Sequence, residues 1–311
     1  MTVYPNYYKK FQCISDRCKH SCCVGWEIDI DEDTLEYYEN IGGEVGENIR
    51  SNISYDGTPH FCLKEGDRCP FLNDKNLCKL ILSLGENSLC QICRDHPRFK
   101  NEFDDRLEIG LGICCEEAGR LILGQVEDFS LEYDGESECD DEIITLRDRA
   151  ISIMQNRKMS ISERSEEMLC ACGFDRELMD VEYILKVLLT LDALDEDWHT
   201  FVLEVYNNYS GKDNEFSKYI KKNDKMYEKL IIYFLYRYMA NAENLYEAAL
   251  RAGFAVSVYR VIFSMSAYIY KKQGRFELPD MVELCRRFSS EVEYNLDNLD
   301  VYMEECYDHN C

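Results

Sequence analysis

The chain has 311 residues, enough for one large domain or two ordinary ones, and its 46% hydrophobic content excludes a disordered polymer. Thirty-five basic residues against 60 acidic ones leave a net charge of −25, which repels nucleic acid and anionic membrane and attracts basic protein surfaces. Seventeen cysteines force a choice among disulfides, metal binding and redox chemistry.

Residues 1–10 hold no apolar run and no small-residue cleavage site, so no secretory signal is expected and the expected location is cytoplasmic. Four thiols then fall within eleven residues, Cys13, Cys18, Cys22 and Cys23. Trp26, Ile28 and Ile30 alternate with Glu27, Asp29 and Asp31, the period of a half-buried strand. A short helix is expected from Asp33, with Leu35, Tyr37 and Tyr38 as its apolar positions. Cysteine-bearing turns follow: Cys69-Pro70-Phe71-Leu72, Cys78, and Cys90-Gln91-Ile92-Cys93. Leu107, Ile109, Leu111 and Ile113 alternate with small or polar residues and predict a second strand running into Cys114-Cys115. The segment Gly110-Leu111-Gly112 begins like a dinucleotide loop, but Cys115 replaces the third glycine, so a Rossmann-type site is not expected.

An acidic stretch, 132–142, separates this part from the rest. The chain reads as a cysteine-rich, metal-stapled region with short strands (1–125), an acidic linker (126–142) and an all-helical domain (143–311), mainly α in class. Ser160-Ile161-Ser162-Glu163 is a capping box that opens a helix ending near Gly173. Val181, Ile184, Leu185 and Leu188 keep helical spacing, and longer helices are expected over about 226–242 and 245–270. Asp280 is the expected N-cap of another helix, carrying Val282, Leu284 and Phe288. Tyrosines 233, 236, 238, 246, 259, 268 and 270 line a pocket or pack the core, and packing is the simpler reading. No uncharged apolar run reaches the ~18 residues of a membrane span. The nearest approach, 230–240, is interrupted by Arg237.

Eleven of the cysteines occur by residue 115. In a reducing compartment such thiols stay free or bind metal, and an odd total cannot pair completely. Thiolates are soft donors that select zinc, copper(I) or iron–sulfur groups. A zinc ribbon needs two CxxC knuckles, and only Cys90 with Cys93 forms one. The bacterial ferredoxin run is absent, and a CxxxCxxC pattern fails because Gly25 follows Cys18 and Cys22. Adjacent pairs suit a multi-iron group or two separate sites. The candidate metal ligands are therefore Cys13, Cys18, Cys22, Cys23, Cys69, Cys78, Cys90, Cys93, Cys114 and Cys115. Arg94 and Arg98, flanking His96-Pro97, either clamp a cofactor carboxylate or offset thiolate charge.

The motifs Cys13, Cys18, Cys22, Cys23-Val24-Gly25-Trp26, Cys69-Pro70-Phe71-Leu72, Cys78, Cys93-Arg94-Asp95-His96-Pro97-Arg98 and Cys114-Cys115 resemble the zinc- or iron-chelating CxxCxxCC family. Within it the likeness is to the flagellin lysine-N-methylases. It covers the first 120 or so residues with specific motifs; the helical remainder, including the segment 291–299, is similar in character. The spacing here is looser than CxxCxxCC, with four and three intervening residues. The resemblance implies a 4Fe–4S cluster and S-adenosylmethionine-dependent methylation of lysines on flagellin as the protein partner. A non-catalytic zinc or iron interaction module, or a redox carrier, is the alternative that the residues leave open.

Overall fold

The computed structural model describes residues 1–103, 105–135, 141–211 and 213–308. Within it the chain forms two compact units, Gln12–Phe99 and Met1–Phe11 with Lys100–Cys311. The acidic run 136–140 with Cys139, and Cys311, lie outside the described residues.

The smaller unit is mostly turns and short helices. Ile28, Ile30, Tyr38, Ile49, Phe61, Phe71 and Leu80 form a modest apolar core, completed by Cys69 and Cys90. Ile28 and Ile30 are buried and Glu27 and Asp29 exposed, so the expected alternation is present. The expected strand is not: the segment joins its neighbour through one isolated bridge, Asp29 to His60, and bonds such as Ile30 N to Pro59 O at 2.8 Å. The only ladder in this unit's described residues is the two-residue pair Ile53–Ser54 and His60–Phe61, too short to extend the sheet. The helix Glu32–Asn40 starts one residue before the expected Asp33, because Asp31 caps it by accepting from Thr34 N at 3.1 Å. Tyr38 is buried and its hydroxyl donates to Ser88 O at 2.6 Å, whereas Tyr37 is exposed.

A four-stranded sheet has the order Arg98–Glu102, Leu107–Leu111, Thr2–Pro5, Leu131–Asp134, all in the larger unit but for Arg98 and Phe99, which end the smaller one. Thr2–Pro5 runs parallel to the expected second strand, pairing Val3 with Glu108, and antiparallel to Leu131–Asp134, pairing Val3 with Tyr133. An ordered strand thus occupies part of the stretch read as acidic linker.

The rest is helix upon helix. Ser160 and Glu163 make both bonds of the capping box for Ile161–Ala171, and Gly173 follows at φ +75°. Val181–Leu188 is capped by Asp180 and buries Val181, Ile184, Leu185 and Leu188. Asp280 is not an N-cap: the helix Leu278–Phe288 is capped by Glu277, and the Asp280 side chain accepts from Glu277 N at 2.8 Å. Pro279, with its φ already helical and no amide to satisfy, favours the earlier start. The helix Lys225–Tyr238 is buried on nearly every face, so its apolar residues surround it rather than form a stripe. Leu245–Gln273 packs beside it and is long and apolar enough, by length and composition, to cross a bilayer. With 72% of its most apolar window buried inside the unit, it is the core helix of this bundle. Small residues give it close contacts: a Cβ at Gly253 would stand 2.4 Å from the Phe174 ring.

Candidate functional site

The candidate metal ligands divide between the units. In Gln12–Phe99, the thiols Cys23, Cys69, Cys78, Cys90 and Cys93 are electrostatic neighbours of one another around the small core. Cys69 and Cys90 are buried, and the other three pack against the core part-buried. Local bonds bring them there. Cys69 N donates to Cys23 O at 2.8 Å, an isolated bridge joins Leu72 to Cys78, and Asp31 Oδ2 accepts from Gln91 N at 2.7 Å beside Cys90. Partial burial opposes ionisation of Asp31, but the amides of Gln91 and Thr34 outweigh it and hold the carboxyl below its usual range.

These thiols are not equivalent. The hydrogen bond to Cys22 draws Cys23 down to about 6 against the opposing effect of burial. Burial pushes Cys69 up to about 11. Cys90 and Cys93 share a proton: the Cys93 hydrogen bond lowers Cys90, and Cys93 itself is raised by the same bond and by burial. Thiolates are the donor type that zinc and iron–sulfur groups take, so the chemistry of these side chains, though not their placement here, suits such a group. Among the described residues no three His, Cys, Asp or Glu side chains converge closely enough to hold a single ion.

Cys13 and Cys22 are exposed, and Cys18 is half-buried, on the loop that leads into this region. Ser15 N donates to Cys13 Sγ at 3.4 Å, and Cys18 Sγ donates to His20 O at 3.3 Å. Arg94 closes the short helix Gln91–Asp95, and its carbonyl accepts from Arg98 Nη1 at 3.1 Å.

Cys114 and Cys115 belong to the larger unit, where Cys115 occupies the N-cap position of the helix Glu116–Leu123 without a side-chain capping bond. Cys114 is buried and pushed up to about 12 by that burial, although a hydrogen bond with Tyr294 and the Arg237 charge pull the other way. It adjoins a polar cluster in the core. Arg237 Nη1 donates to the Tyr233 hydroxyl at 2.6 Å, which donates to Glu293 Oε1 at 3.0 Å; Tyr238 donates to the same oxygen at 2.8 Å. Ile113 N donates to the Tyr233 hydroxyl at 3.4 Å, tying the Cys114-Cys115 turn to the cluster. Glu293 closes a π-helical turn, Ser289–Glu293, recorded by the bond from Tyr294 N to Ser289 O at 3.1 Å. Its Oε2 is buried with no hydrogen-bond partner among the described residues. Such turns recur at functional sites because they redirect one side chain out of helical register. Arg237 was visible in the sequence as a charge inside an apolar run. Its partner Glu293 carried no local signal.

Residues 169–311 match the family model described as the FliB lysine N-methylase C-terminal domain. A Lysine-N-methylase of Salmonella typhimurium is 25% identical over 135 residues, 41% of this chain and 33% of that protein. The flagellar biosynthetic protein FliU of Salmonella muenchen is 27% identical over 135 residues, 41% of this chain and 79% of FliU. The chain thus spans about a third of the length of the Lysine-N-methylase it matches. No solved structure matches. The family match falls on the helical half, where the sequence motifs were least specific, and includes Arg237, Glu293 and Tyr294.

Proposed function

We propose that this chain, which belongs to the lysine N-methylase family through residues 169–311, methylates lysine side chains of flagellin with S-adenosylmethionine as donor. The family match carries the reading. The flagellar name of one relative and the lysine-N-methylase name of another supply the substrate. The net charge of −25 is suited to recruiting lysine-bearing surfaces.

The reaction sets a physical requirement. The lysine nitrogen attacks only as the free amine, and the new N–C bond forms as the C–S bond of the sulfonium breaks, its electron pair remaining on sulfur. An acidic surface attracts the ammonium but keeps it protonated, so a desolvated pocket or a proton acceptor must oppose that tendency. Cys23, Cys69, Cys78, Cys90 and Cys93 are the residues of the smaller unit that would hold an iron–sulfur group. Such a group supplies cross-linking for a unit with little apolar core of its own. The cytoplasm is the proposed location, since it keeps these thiols reduced.

The test is incubation of the anaerobically prepared chain with methyl-labelled S-adenosylmethionine and flagellin, followed by counting label on lysine peptides. Label on lysine supports the reading. Its absence with a fully metal-loaded chain removes it.

A further inference from the structure

Two leucines of the helical unit face solvent, Leu296 at 73% exposure and Leu194 at 61%. A single exposed leucine needs no explanation, but these two flank one rigid junction. Asn298, buried on the helix Leu296–Glu305, accepts from Asp192 N at 3.1 Å and donates to Asp192 O at 2.7 Å. The same Nδ2 donates to Glu291 O at 2.7 Å, and the buried Glu291 carboxylate accepts from Leu194 N at 2.8 Å. Two buried polar side chains are thus spent on holding the loop that presents Leu194 against the turn that presents Leu296. The helix turns Asn298, Leu299 and Tyr302 inward, which leaves Leu296, Asp297 and Asp300 on its outer side. Among the described residues the exposed carboxylates of Asp192, Asp297 and Asp300 make no hydrogen bond or ion pair. The cation beside Glu291, Arg287, is directed elsewhere, to Asp195 at 3.9 Å and over the Trp198 ring at 5.6 Å.

An apolar surface held in place is covered by a membrane, by a second copy of the chain or by a partner, and the carboxylates choose among these. They repel an anionic bilayer. Across a two-fold contact they would face their own copies, like charge against like. They complement a protein surface that sets lysine or arginine around an apolar side chain, and the net charge of −25 acts in the same direction at longer range. We propose that Leu194 and Leu296, with Asp192, Asp297 and Asp300 as their acidic rim, form the surface on which the folded acceptor protein docks. The leucines supply the area removed from water, and the carboxylates set the orientation and favour lysine-bearing partners. The surface lies within the matched residues, and Leu296 follows Glu293 by less than one helical turn. The identity of the acceptor, flagellin, rests on the methylation reading; the docking itself is measured without the methyl donor.

The experiment measures binding of the full chain to immobilised flagellin over a range of salt concentrations. Leu194→Ser combined with Leu296→Ser is expected to weaken binding by about tenfold or more, with melting temperature unchanged because both side chains are exposed. Asp297→Lys combined with Asp300→Lys is expected to weaken it similarly and to flatten its salt dependence. With donor added, both variants are expected to raise KM for flagellin at constant kcat, and to leave KM for a short unstructured lysine peptide unmoved. Failure of wild type to bind flagellin, or wild-type affinity in both variants, would overturn the proposal. A dimer in sedimentation that the serine variant dissolves would assign the surface to a second copy instead. Binding to phosphatidylglycerol vesicles that the serine variant loses would assign it to a membrane. Flagellin that docks here yet gains no methyl group would overturn the methylation reading alone, and methylation with an unchanged KM in both variants would overturn the docking surface alone.

Discussion

The Arg237 guanidinium lies 3.3 Å from the Glu293 carboxylate, and the Glu293 side chain is wholly buried. The Tyr233 hydroxyl bridges them and the Tyr238 hydroxyl donates to the same carboxylate, so a charge pair expensive to desolvate is stabilised by directed hydrogen bonds. Tyr238 and Tyr294 add their ring faces, each with its centroid 5.3 Å from the guanidinium.

Removing one member of such a pair leaves the other charge buried alone. Arg237→Met is expected to destabilise the chain by about 3–5 kcal/mol, while combining it with Glu293→Gln recovers part of that loss. Urea unfolding of the two single variants and the double variant measures the coupling. Additive losses would show that the two residues act separately.

The thiols of the smaller unit provide a second test. Cys69→Ser and Cys90→Ser are expected to remove bound iron and visible colour after anaerobic preparation, with helix content largely kept. Cys285→Ser and Cys306→Ser, at buried positions in the helical unit, are expected to keep both. Metal analysis and absorption spectra decide the matter: stoichiometric zinc with negligible iron would replace the iron–sulfur assignment with a zinc one.

Lys229 is buried, and its ammonium donates to Glu127 O at 2.8 Å. Burial lowers it to about 8, with Arg157 and Lys225 acting in the same direction and Glu228 and Asp128 opposing. An unfolded lysine holds its proton to about 10.4, so between about pH 8 and 10 the unfolded chain binds more protons than the folded one. Stability is therefore expected to rise with pH across that window. Lys229→Met is expected to show a flatter profile in chemical denaturation. A slope identical to wild type would assign the effect to other groups.

Long-range attraction to a basic acceptor weakens as salt shortens its range, to about 8 Å at physiological ionic strength. For methylation of flagellin, KM is expected to rise with salt while kcat stays level. A salt-independent KM would mean that the charge of −25 plays no part in recruitment.

The helical half was legible where its signals are local. Ser160 with Glu163, and the spacing of Val181, Ile184, Leu185 and Leu188, depend on neighbours within a turn or two, and the structure reproduces them. The smaller unit was legible in composition but not in geometry. Ile28 and Ile30 signalled burial correctly, but the pattern could not reveal that their segment meets the two-residue strand His60–Phe61 through a single bridge and forms no strand of its own. Asp280 was misplaced by one role because Glu277 is an unusual cap, and Pro279 shifted the start. The pairing of Glu293 with Arg237 and the junction of Asn298 with Asp192 depend on contacts between residues distant in sequence, which no periodicity encodes.

Peptide mass mapping reads lysine methylation itself. The full chain, prepared anaerobically and analysed for metal, is incubated with flagellin and deuteromethyl-labelled S-adenosylmethionine, and every lysine peptide is weighed. Labelled methyl mass is expected on lysine peptides alone and is expected to vanish when the donor is omitted. Unlabelled lysine peptides from several flagellins, with a metal-loaded and folded chain, would contradict it.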